Sequence, residues 1–123
     1  MKKKGICISF LLFALFSLMG CATTEKMYYW GDYSTTLYAA RKDTNDENLL
    51  KHKNTLENII TESEKRNLRV PPGVYGELGY IYFRQNNNDT AVKYFEMEAR
   101  TYPESRVFME RLTQAAKAKN TKN

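Results

Sequence analysis

Three kinds of side chain in this sequence are equipped for chemistry: a single histidine, two cysteines and a scatter of carboxylates. His52 has no second histidine to work with, so His-pair metal sites are out of reach, and a Cys–His nucleophile would need a free thiol. It stands beside the apolar stripe of Leu49, Leu50, Leu56, Ile59 and Ile60, where a half-buried or solvated helix residue is expected rather than a general base. Glu77, Glu96, Glu98 and Asp43 are the carboxylates that acid–base work on a glycan would recruit. Their spacing gives no sign of convergence, and Glu96, four residues before Arg100, reads as half of a surface pair. Gly73, Gly76 and Gly79 are spaced for a turn and a helix contact, not for a phosphate-cradling loop. This inventory predicts a protein that is not an enzyme, with no cofactor, no metal and no small-molecule substrate.

The cysteines have separate fates. Met1 to Lys4 is a basic start, and Ile6 to Met19 is an apolar run of 14 residues, short of the roughly 20 that a spanning helix needs. Together they predict a cleaved secretion signal over residues 1–20 rather than a permanent span. The run ends in Leu18-Met19-Gly20-Cys21, which resembles a bacterial lipobox. Cys21 is the thiol that would take the diacylglyceryl group and, after cleavage, an N-acyl chain. At about 0.8 kcal/mol per buried CH2, three acyl chains make such attachment effectively permanent. Cys7 leaves with the signal, so neither a disulfide nor a thiolate metal site is expected. Ala22 stands where lipoproteins kept in the inner membrane carry Asp. By resemblance to that sorting rule, the expected address is the periplasmic leaflet of the outer membrane.

Charge follows the same division. The full chain of 123 residues has a formal net charge of +5, which on its face invites an anionic partner. Removing residues 1–20 takes away three lysines and no acid, leaving 16 basic against 14 acidic residues, a net of +2. The remaining cations are scattered apart from the Lys117 to Lys122 end, and no nucleic-acid partner is expected.

Stepping along the mature chain, residues 21–29 read as a lipidated tether. A first helix opens near Trp30, with Tyr33, Leu37 and Ala40 at helical spacing and Asp32 or Ser34 as caps. A longer helix is expected from Asp46 to Arg66, with Glu62 and Arg66 as a favourable pair. Pro71-Pro72-Gly73 punctuates the chain. From Tyr75 onward, Tyr75, Leu78, Gly79, Tyr82, Ala91, Phe95 and Pro103 fall at the spacing of a tetratricopeptide repeat. In that reading Leu78 and Tyr82 fill the space between two helices, Ala91 faces Gly79 with Phe95 packing below it, and Pro103 ends the second helix. Asn86 to Asp89 supplies the turn and cap. Trp30, Tyr33, Ser34 and Leu37 repeat the first-helix pattern, making an earlier degenerate unit. Val107, Phe108, Leu112, Ala115 and Ala116 form a closing amphipathic helix. No strand is expected. The predicted fold is all-α, tetratricopeptide-like helical hairpins of about five helices over 30–119, with a disordered tail at 120–123.

Several of these residues group into a recognisable set. Tyr29-Trp30-Gly31-Asp32-Tyr33, Leu37-Tyr38, Pro71-Pro72-Gly73, Glu77-Leu78-Gly79-Tyr80, Tyr94-Phe95, Glu98 and Pro103-Glu104-Ser105 resemble a family of small bacterial outer-membrane lipoproteins known only as a domain of unknown function. The resemblance covers nearly the whole mature chain. Members are typically encoded beside a lipoprotein similar to the curli-secretion channel and another small lipoprotein, which implies a shared envelope assembly and a co-encoded lipoprotein as partner. It also recasts Glu98, an unusual residue at that repeat position, as a family-specific contact.

Nine tyrosines and one tryptophan exceed what a repeat core requires. Tyr28, Tyr29, Trp30, Tyr33, Tyr38 and Tyr80, with Glu77 and Glu98, are the candidate partner-binding residues. Two readings of the aromatic group stay open: a surface for protein or glycan, or packing of the tether and first helix onto the stack. The expected function is non-enzymatic protein interaction in the envelope; the alternative is a lipoprotein that binds or hydrolyses peptidoglycan.

Overall fold

The computed structural model describes residues 26–120; the expected signal segment, Cys21 and residues 121–123 lie outside the described residues. Five α-helices follow one another: α1 Tyr33–Lys42, α2 Asp46–Lys65, α3 Val74–Arg84, α4 Asn88–Thr101 and, after a 3-10 turn at Pro103–Ser105, α5 Arg106–Asn120. Among the described residues there is no strand. The all-helical expectation holds, and α5 runs one residue into the segment read as tail.

Local chemistry explains the boundaries. The Asn45 side chain accepts the Asn48 amide at 2.8 Å and Asp46 and Glu47 occupy the first turn of α2, a capped and dipole-matched start. Asn87 accepts the Thr90 amide in the same way at α4. Asn86 takes φ 61°, a left-handed conformation that asparagine tolerates and that reverses the chain between α3 and α4. Gly73 sits at φ 88° just before α3, where a Cβ would be strained. Asp32 precedes α1, yet its side chain makes no capping bond; its carbonyl instead accepts the Thr36 amide at 3.1 Å.

Sequential helices pack on one another through two apolar clusters. Leu56, Ile59, Val70, Val74, Tyr75 and Leu78 join α2 to α3. Ala91, Phe95, Met109 and Ala116 join α4 to α5. Each fully buried Leu, Ile or Phe here contributes about 1.5–3 kcal/mol.

Four expectations are corrected. A Cβ on Gly79 would lie 2.8 Å from the Phe95 ring and 3.1 Å from Tyr94 Cβ, so the nearest neighbour of Gly79 is the Phe95 ring, which was expected below it, and not the Ala91 methyl. Tyr82 is half-buried because its hydroxyl donates to Glu57 at 2.9 Å while Lys53 covers its ring at 4.2 Å. Glu96 meets Lys117 of α5 at 3.7 Å instead of Arg100, since α5 crosses beside α4. On α5 the buried side is carried by Met109 and Ala116, whereas Val107 and Phe108 are 65% and 61% exposed. Glu62 pairs with Arg66 at 3.1 Å as expected, and with Lys65 at 2.9 Å.

Candidate functional site

Glu77 projects from α3 into the seam between three helices. The Tyr33 hydroxyl of α1 donates to its Oε2 at 2.8 Å, and His52 Nε2 of α2 lies 3.1 Å from its Oε1. On the far side of the ring, Thr36 Oγ1 lies 2.9 Å from His52 Nδ1. An ionised carboxylate only accepts, so a proton is assigned to Nε2; in the tautomer that carries only that proton, Nδ1 accepts the Thr36 hydroxyl. Hydroxyl, imidazole and carboxylate thus stand in the order of a nucleophile triad. Thr36 is only 3% exposed, however, and its oxygen is also 3.2 Å from the Asp32 carbonyl of its own helix. With that hydroxyl sealed inside, the chain of bonds acts as a lock joining α1, α2 and α3.

Electrostatics agree with a lock. Burial alone would raise the Glu77 carboxyl, but the bonds from His52 and Tyr33 outweigh it and hold the group below its ordinary value. The Tyr33 phenol is pushed up to about 12, first by burial and then by donating to Glu77.

Glu98 of α4 is 2% exposed. Its Oε1 accepts the Gly73 amide at 2.8 Å and its Oε2 the Gly76 amide at 3.2 Å. The carboxylate therefore caps the first turn of α3 from outside the helix, where the positive end of the dipole favours it. A small residue at that position would leave those amides uncapped, which explains the departure from the repeat pattern.

These two acids border one groove. It has a volume of about 750 Å³ and lies between α3 and α5, with Tyr80, Phe108, Met109 and Leu112 on its walls and Glu77, Glu98 and Glu104 as its charged members. No lysine or arginine lines it. Tyr80 and Phe108 are 47% and 61% exposed, so the apolar walls reach the surface. Three of the candidate partner-binding residues, Glu77, Tyr80 and Glu98, converge here. The others do not: Tyr33 belongs to the lock, Tyr29 lies under the Arg66 guanidinium at 4.4 Å, and Trp30 and Tyr38 stand exposed at the α1 end.

Sequence reasoning missed three contributors. Tyr102 is 4% exposed and donates its hydroxyl to the Val70 carbonyl, closing the base of the groove. Phe108 reads in sequence as part of the apolar side of the closing amphipathic helix with Val107, Leu112, Ala115 and Ala116, which hides its place on the groove wall. Thr36 gave no signal, since a threonine inside a helix usually bonds its own backbone.

The fold and the site define an all-α helical-hairpin domain with an apolar, acid-edged groove. The chain belongs to the DUF4810 family, described as a domain of unknown function, which matches residues 27–112. No curated protein matches the chain, and no solved structure does. Among the described residues no helix is long and apolar enough to cross a membrane, and no three His, Cys, Asp or Glu side chains group as a metal-holding set.

Proposed function

We propose that this protein is a lipid-anchored outer-membrane interaction factor that docks another envelope protein in the groove between α3 and α5. The observation that carries this reading is an apolar groove whose walls, Tyr80 and Phe108, are exposed, as an unfilled binding surface would leave them. Cys21 and the lipobox-like residues before it support the anchor. The burial of Tyr75, Leu78, Ala91 and Phe95, together with Gly79 against Phe95, supports a tetratricopeptide-like hairpin, an architecture suited to presenting such grooves. The resemblance to lipoproteins encoded beside a curli-secretion-like channel makes a co-encoded lipoprotein the preferred partner.

The peptidoglycan alternative has less support. Each oxygen of Glu77 and Glu98 already accepts an intramolecular bond, which suits positioning better than proton transfer to a glycan.

Tagged full-length protein and its Phe108→Glu variant, captured from detergent-solubilised membranes, test the proposal. The wild type is expected to recover an envelope protein that the variant loses while keeping its helical circular dichroism. Recovery of no envelope protein above a Cys21→Ala control overturns it.

A further inference from the structure

The segment Lys26–Gly31 leads into α1 as a preformed aromatic turn. Trp30 packs against Tyr33 at 5.1 Å and edge-on to Tyr28 at 6.4 Å. The Tyr33 amide donates back to the Trp30 carbonyl at 3.0 Å, and Gly31, at φ 46°, makes the bend. Tyr33 is itself held by Glu77, so the indole stands on a fixed base. Outward, Met27 is 71% and Trp30 40% exposed, Tyr28 is half-buried, and Lys26 is exposed beside them. Consecutive residues Lys26 to Gly31 line a shallow concavity of about 620 Å³.

Two observations say what covers this patch. The first is chain length. Only five peptide units separate Cys21 from Lys26, and at a maximum of about 3.5 Å each they span about 18 Å. A chain anchored at Cys21 therefore keeps Lys26, where the patch begins, within that distance of the headgroups, and the folded turn keeps the rest of the patch next to it, so even weak partitioning is enforced by tethering. The second is composition. A tryptophan ring with one polar edge, next to a lysine, a thioether chain and the half-buried Tyr28 ring, whose hydroxyl is turned inward to Tyr102, matches the membrane–water boundary rather than its apolar centre.

We propose that Met27, Tyr28 and Trp30 form an interfacial patch that lies against the phospholipid headgroups of the leaflet holding the anchor. This rests on the reading of Cys21 as the lipid-bearing residue. The contact orients the domain: the α1 end faces the bilayer, and Tyr80 and Phe108, on the walls of the groove between α3 and α5, stay available to soluble or neighbouring proteins.

Trp30 is the chain's one tryptophan, so its fluorescence reports on the patch without ambiguity. Full-length protein purified from bacterial membranes is reconstituted into phosphatidylethanolamine–phosphatidylglycerol vesicles, with and without brominated acyl chains, and anchoring is scored separately by flotation. The expected result is flotation with a blue shift of Trp30 emission and a loss of intensity specific to the brominated vesicles. Met27→Glu, at an exposed position, should float equally and recover part of that intensity. Flotation with identical emission in both vesicle types overturns the patch while leaving the anchor intact. A blue shift without bromine quenching assigns the patch to protein association and also overturns it. Failure to float, with unquenched Trp30, overturns anchor and patch together.

Discussion

Glu98 and Glu77 are both groove acids, but their environments give them different work. Glu98→Ala strips the acceptors from two amides in the buried start of α3, so a loss of about 3 kcal/mol is expected in chemical denaturation. Glu98→Gln, which keeps one good acceptor, should lose less. Glu77 makes the fold respond to pH. Its folded carboxyl titrates below the ordinary value of 4.5, so its stabilisation is present above that pH and is lost as the pH falls through the folded value. Tyr33 has the opposite sign: its neutral phenol stabilises below 10.0, and that contribution disappears as the pH rises toward about 12. Glu77→Gln should therefore flatten the acid limb of a stability–pH profile and lower the Tyr33 midpoint in tyrosinate absorbance; unchanged limbs would refute the lock. The sequence placed His52 beside an apolar stripe, as the structure has it, but as a half-buried or solvated residue, whereas it is 3% exposed because Thr36 and Glu77 take both ring nitrogens. Its partners were not legible, because Thr36 and Glu77 lie 16 and 25 residues away on two other helices, and no local pattern encodes which helix faces bring them together.

Helix existence was readable because the signals are local: the Asn86 to Asp89 cluster caps, Pro71 to Gly73 interrupts, and apolar residues recur at helical spacing, whereas the α2 cap is Asn45 and Asp32 makes no capping bond. Phase was harder. Phe108 and Met109 are adjacent, and α5 buries the methionine because α4 presents Phe95 and Ala91 to that side; stripe width alone does not choose between them. Two glycines separate steric from conformational demand. Gly79→Ala drives a methyl into the Phe95 ring at 2.8 Å and should cost about 1–3 kcal/mol by overpacking. Gly73→Ala meets open space but must hold φ 88°, a left-handed strain of about 1–2 kcal/mol. The combination Gly79→Ala with Phe95→Leu should recover part of the first loss, whereas no change elsewhere in the core should relieve the second.

For the molecule as a whole, the groove and the aromatic turn sit on different elements, and their consequences separate. Phe108→Glu removes an exposed ring, so its denaturation midpoint should stay within about 0.5 kcal/mol of the parent while partner capture is lost. A parallel loss of stability would mean that Phe108 is core after all. Two of the three groove acids, Glu77 and Glu98, stood out in the sequence; Glu104 did not, nor did the groove, which exists only once α3 and α5 flank Glu98.

The Tyr33–Glu77–His52–Thr36 lock also defines how the domain bears load. A pull arriving through the N-terminal segment passes Tyr29 under Arg66 and then loads α1, whose bonded anchors are Tyr33 and Thr36, and those two residues take the tension before the larger clusters behind them. The helix thus behaves as a mechanical fuse. In an optical trap, pulling between the two ends should give an early small extension, from α1 detaching, ahead of the main rupture. Thr36→Val should lower the force of the first event and leave the second where it was.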